Sequence, residues 1–118
     1  VKGLSPRQRF GFALRGLADA WKAELTFRLQ AVAAVAVVAI TAALRPGPVW
    51  VALIALTIGA VLAAELFNTA LEHLLDALHP GRAEFVRIAK DCAAAAVLVL
   101  SAASVVIFVA MLADVLRR

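Results

Sequence analysis

Two long uncharged runs decide what this chain can fold into. Residues 29–64 carry one charged side chain, Arg45, and residues 92–113 carry none. A helix of about 20 apolar residues crosses the roughly 30 Å hydrocarbon core of a bilayer, and inside that core only helices and closed barrels satisfy their own backbone groups. The first run is about twice one span's length. It is broken by "RPGP" at 45–48, where two prolines and a glycine cannot continue a helix. The pattern therefore predicts three spans, at about 27–44, 49–78 and 90–115, within a single domain covering residues 1–118. The hydrophobic content of 64% fits this reading, since soluble domains hold roughly 45–50%.

The segment before the first span has a different character. Phe10, Leu14, Leu17, Trp21 and Leu25 recur at helical spacing and form one stripe, with Arg15, Asp19 and Lys22 on the opposite side. Ser5-Pro6 suits a cap followed by proline in the first turn. The expectation is an amphipathic helix over about 5–26 lying in the headgroup plane, with Trp21 as an interfacial anchor. Lys2, Arg7, Arg9, Arg15, Lys22 and Arg28 precede the first span against only Asp19 and Glu24. The positive-inside rule then places the N-terminus in the cytoplasm. No signal-peptide cleavage pattern is expected here. The lone cysteine, Cys92, is read as a small buried residue.

Span two does not stay apolar. At about 100° per residue, Glu65, Asn68, Glu72 and Asp76 of "ELFNTALEHLLD" fall within an arc of roughly 80°, while Leu66, Leu71, Leu74, Leu75 and Leu78 take the other side. Glu24 and Arg28 at the entrance of span one and Lys90-Asp91 at the start of span three lie at the same membrane level. Ionisable groups in a membrane are costly and usually face a cavity, pair with another charge or mark a functional path. Stacked acids repel one another, and a divalent cation relieves the repulsion. Magnesium favours one or two carboxylates together with substrate phosphates. Glu24, Glu72, Asp76 and Asp91 could supply such oxygens, and Lys90 could pair with a phosphate. Glu65 lies deepest, where it is suited to accept a proton from a lipid hydroxyl. His73 and His79 read as surface residues rather than metal ligands, because nothing completes a zinc site. No phosphate loop, soluble-kinase signature or GxSxG elbow is present.

The motif "ELFNTALEHLLD" followed by "AKDCAAAAVL", together with the N-terminal "RFGFALRGLADAWKAELTFRLQ", resembles the prokaryotic integral-membrane diacylglycerol kinases, a family that includes undecaprenol kinases. The resemblance covers nearly the whole chain. It implies an all-α membrane protein, with a surface helix and three transmembrane helices assembled as a homotrimeric bundle with sites between subunits. It implies residence in the bacterial cytoplasmic (inner) membrane with the active site on the cytoplasmic side. The activity implied is an ATP-dependent lipid kinase that moves the γ-phosphate of Mg-ATP to a membrane lipid alcohol. Diacylglycerol, giving phosphatidic acid, is the expected acceptor, and undecaprenol is the alternative. By position, Glu65 is the implied catalytic base and contacts the lipid with Asn68. Glu24 and Glu72 are implied to hold magnesium. Arg9, Phe12, Ala13 and Gly16, with Glu24, Glu72, Lys90 and Asp91, are implied to contact the nucleotide. Ala83 stands where family members often have a histidine, which leaves His79 or Arg82 as a substitute. Asp76 has no assigned role.

Two other classes compete. A small channel would carry polar groups through the whole membrane, whereas the outer halves of spans two and three are apolar. An accessory subunit would explain the alanines but not Glu65, Glu72 and Lys90-Asp91. Nucleic acid is not an expected partner, because the net charge of +4 is concentrated beside the membrane.

Overall fold

The computed structural model describes residues 3–118; Lys2, one of the six basic residues counted above, lies outside the described residues. Four helices follow one another: α1 (Pro6–Ala23), α2 (Leu25–Leu44), α3 (Pro48–Leu78) and α4 (Glu84–Leu116). The last three are long and apolar enough to cross a membrane. At 1.5 Å per residue α3 is about 46 Å long and α4 about 50 Å, so both reach past the hydrocarbon core.

The helix ends show why the chain folds this way. Ser5 caps α1 reciprocally: its hydroxyl accepts from the Gln8 N–H at 3.2 Å, and Gln8 accepts from the Ser5 N–H at 2.9 Å, with Pro6 at the first helical position. α1 ends at Ala23, earlier than the periodicity predicts, because Glu24 is extended (φ −122°, ψ 114°) and turns the chain into α2. The Arg28 guanidinium closes this corner from the far side, donating to the Trp21 carbonyl at 2.6 Å and the Lys22 carbonyl at 3.3 Å. A cation on the last carbonyls of a helix satisfies orphan acceptors and complements the dipole.

At the other end of α2, Arg45 adopts the left-handed conformation (φ 51°), and Gly47 and Pro48 start α3. α4 begins at Glu84 rather than near residue 90, so the connection shrinks to 79–83. Arg87 accounts for the extra turns, bonding Glu84 at i−3 and Asp91 at i+4.

α3 is the centre of the bundle, packing most extensively on α4, then on α2, while α1 touches α2 and α3. Its buried residues, Ile54, Val61, Glu65 and Thr69, step by seven, four and four and so form one face. Met111 of α4 is fully buried. Elsewhere large apolar side chains point outward, as with Val35 and Leu98, both 70% exposed. In water such surface would demand a partner; in lipid it is ordinary. Cys92 is exposed, against the expectation of burial, because it lies on the side of α4 turned away from the bundle.

Candidate active site

Glu65 sits on the buried face of α3, in line with Val61 and Thr69, and is only 3% exposed. The same periodicity that fills the core therefore carries a carboxylate into it. One partner comes from α2: the Thr26 hydroxyl donates to Glu65 Oε2 at 3.3 Å. Gln30, one turn further along α2, also lies beside this carboxylate, and Glu24 and Glu72 are the acids whose charges bear on it. A hollow of about 490 Å³ opens beside Glu65 between α2 and α4, walled by Thr26, Leu29, Gln30, Leu98 and Ser101. Leu29 and Leu98 are exposed, giving the hollow apolar lips toward the membrane.

One turn toward the end of α3, Asn68 donates to Glu72 Oε1 at 3.4 Å, while its own Oδ1 is buried without a partner among the described residues. Neither Glu72 nor Glu24 is paired with a cation among the described residues. Asp76 takes Lys90 Nζ from α4 at 2.6 Å, so the acid without an assigned role is the one that holds the lysine. Asp91 is turned to Arg87 at 2.8 Å. Around the α3–α4 connection lies a second, polar hollow of about 560 Å³, lined by Arg82, Ala83, Arg87, Lys90 and Asp91 among others. Of the two substitutes for the histidine absent at Ala83, Arg82 lines this hollow. His79 instead packs edge-on against Phe85 at 5.0 Å between ring centroids. Both His73 and His79 are exposed.

Arg9, Phe12, Ala13 and Gly16 share one face of α1 at i, i+3, i+4 and i+7. All four are exposed, and the Arg15 guanidinium lies 5.2 Å from the Phe12 ring centroid. The fold thus brings Glu24 and Glu72 toward Glu65, sets Asn68 on a separate groove between α3 and α4 with Glu72 as its partner, groups Lys90 with Asp76, and leaves the α1 face open. Sequence reasoning missed Gln30 and Ser101 as site residues and Arg87 as the partner of Asp91. Thr26 and Gln30 were visible as an i, i+4 polar pair at the mouth of an apolar span. Ser101 was visible, with Ser104, as one of two hydroxyls in an otherwise apolar run.

A family model described as "Prokaryotic diacylglycerol kinase" matches residues 11–112, from the first half of α1 to near the end of α4. The chain belongs to the prokaryotic diacylglycerol kinase family. A protein named "Diacylglycerol kinase" from Synechocystis sp. is 39% identical over 100 residues. That alignment covers 83% of this chain and 57% of the relative's length, so the chain spans little more than half of that relative. The match takes in every site residue named above except Arg9.

Among the described residues no three His, Cys, Asp or Glu side chains converge to hold a metal. Two unpaired carboxylates, Glu24 and Glu72, remain as oxygen donors. This suits magnesium, which is commonly bound by one or two carboxylates and completed by phosphates and water.

Proposed function

We propose that the chain is an ATP-dependent lipid kinase of the inner membrane, working at the cytoplasmic surface and transferring the γ-phosphate of Mg-ATP to diacylglycerol. The observation that carries this is the Glu65 carboxylate, buried on the wall of a hollow that has apolar lips and opens sideways between α2 and α4. An acceptor whose hydroxyl sits at the membrane boundary reaches such a hollow without leaving the lipid. Glu65 takes the hydroxyl proton, and Thr26 orients the carboxylate. Asn68 lies on the groove between α3 and α4 rather than on this hollow, and serves the acceptor indirectly, by holding Glu72 through its side-chain amide.

Glu24 and Glu72 would hold the magnesium of the nucleotide, which would supply neutralisation of the phosphate charge when bound. Lys90, Asp91 and the α1 face of Arg9, Phe12, Ala13 and Gly16 bind the nucleotide itself. Transfer of a phosphoryl group asks mainly for positioning and charge stabilisation, which a sparse set of side chains can supply.

The site is completed in a homotrimer. A groove between α3 and α4 has five alanines in its lining, Ala60, Ala63, Ala64, Ala93 and Ala96, beside the larger Phe67, Asn68, Leu71 and Leu100; the alanines let a neighbouring helix approach closely.

The test is transfer of labelled γ-phosphate to diacylglycerol or undecaprenol by the purified protein. Glu65→Gln is expected to cost about 10²–10⁴-fold in kcat while the assembly persists. Transfer to undecaprenol alone would keep the kinase and change the acceptor. Transfer to neither, or full activity of Glu65→Gln, would overturn the proposal.

A further inference from the structure

A further, partly open cavity lies nearer the middle of the bundle, on the outer side of the Glu65 hollow. It has a volume of about 210 Å³ and is walled chiefly by apolar side chains of α2, α3 and α4, including Val37, Ile54, Val61 and Phe108. For scale, an apolar cavity of about 150 Å³ accommodates benzene. Gln30 and Ser101 belong to the walls of both spaces. Between them, Gln30 Nε2 donates to Ser101 Oγ at 3.2 Å, joining α2 to α4. The next polar tie between these helices is at their far ends, where Arg118 reaches the carbonyls of Leu44 and Arg45. The Gln30–Ser101 hydrogen bond therefore lies where the hollow beside Glu65 and the deeper cavity meet. From Glu65 to Ile54 the two spaces together extend about 16 Å along α3 at 1.5 Å per residue.

We infer that Gln30 and Ser101 set which acceptor tails the enzyme takes, by barring the deeper cavity to the hydrocarbon chain that hangs below the reacting hydroxyl. This rests on the reading of Glu65 as the base. The occupant is a lipid tail rather than a soluble ligand, because the cavity opens from a hollow with apolar lips and its own wall is apolar. The tail moves from lipid to an apolar wall, so little hydrophobic free energy changes. Discrimination comes from the hydrogen bond that a long tail must displace. Interhelical hydrogen bonds in membranes are worth about 0.6–1.7 kcal/mol, or roughly 3- to 18-fold. Gln30 also lies beside the Glu65 carboxylate, which couples the bar to the reacting end of the lipid.

The experiment compares wild type, Ser101→Ala and Gln30→Ala in mixed micelles, measuring kcat/KM for diacylglycerols with tails of increasing length. Both variants should raise the long-tail to short-tail ratio by about 3- to 18-fold. Ser101→Leu, which fills the place where the two spaces meet, should lower it. A second readout needs no turnover: a lipid alcohol with a photoreactive group at the tail end, irradiated in vesicles, should label Val37 and Phe108 more strongly in Ser101→Ala than in wild type. Enhanced labelling without phosphorylation by any variant would leave the bar standing and remove the kinase reading. Phosphorylation with an unchanged length ratio and unchanged labelling would overturn the bar. Protection of the cavity by a second copy of the chain, seen as no labelling in any variant, would overturn it as well.

Discussion

Replacing Arg28 by methionine tests the corner that joins the surface helix to the membrane. Methionine keeps much of the aliphatic stem and loses every donor. In the folded chain the guanidinium bonds two consecutive carbonyls at the end of α1, Trp21 at 2.6 Å and Lys22 at 3.3 Å. A hydrogen bond to a charged group contributes about 1.5–3 kcal/mol when well buried. Arg28 is half-buried, and only the shorter bond is of full strength. The pair together with the dipole term should then be worth about 1–2 kcal/mol. That corresponds to about 5- to 30-fold in a local opening equilibrium. Hydrogen exchange followed by mass spectrometry should show the amides of the last turn of α1 exchanging faster by that factor, with the middle of α3 unaffected. If α1 carries nucleotide contacts, the KM for Mg-ATP should rise in the same variant, and Arg28→Lys should recover part of both effects. Unchanged exchange in residues 20–24 would refute the capping argument, whatever happens to activity.

Among the described residues, Met111 is the one large side chain with no exposure. Met111→Ala should destabilise by about 2 kcal/mol, the low end of the usual range, because lipid rather than water is the solvent and the cavity term dominates; equilibrium unfolding in mixed detergent measures it. Asp76→Asn should change stability by less than about 1 kcal/mol, since its pair with Lys90 is largely exposed. It should nonetheless raise the KM for Mg-ATP several-fold, a split that a purely structural tie would not produce. Chelating magnesium should stop phosphoryl transfer and leave helix content as it was, because Glu24 and Glu72 alone build no structural metal site; loss of helix on chelation would contradict this.

The elements of this fold were legible where a local rule decides them. Two uncharged runs and "RPGP" were enough for three spans, and Ser5-Pro6 was enough for the start of α1. The end of α1 was not legible, because Glu24 is not a helix breaker and the turn depends on Arg28 reaching back across the corner. The start of α4 was displaced because the Glu84–Arg87–Asp91 ladder extends the helix through residues whose polarity reads as a loop. In the site, the acid face of α3 follows from a 3.6-residue period and could be placed on a wheel. What α2 and α4 contribute could not. Thr26, Gln30 and Ser101 matter through contacts made 39 and 71 residues apart in the chain, and no local pattern encodes that pairing. The role of Asp76 became readable only once Lys90 was seen on it.

The order of groups along α3 constrains how a nucleotide lies in the proposed site. Glu72 is about 10 Å and Asp76 about 16 Å from Glu65 along the helix axis at 1.5 Å per residue, and Lys90 is held at the level of Asp76. A reacting phosphorus must come within about 3–3.5 Å of the acceptor oxygen, which Glu65 holds. One phosphate cannot meet Glu65 and Lys90 together while the Asp76 pair persists. The nucleotide would then lie lengthwise, with its terminal phosphate toward Glu65, with Glu72 and Glu24 as the residues that would hold its magnesium, and with Lys90 on the trailing part. Steady-state kinetics distinguish the ends of this line. Lys90→Ala should mainly raise the KM for Mg-ATP, several-fold, with little change in kcat. Glu72→Gln, beside the charge that develops during transfer, should lower kcat as well. A Lys90→Ala variant that loses kcat as severely as Glu72→Gln with an unchanged KM would place the lysine on the transferring phosphate. The Asp76 pair would then have to break before each turnover.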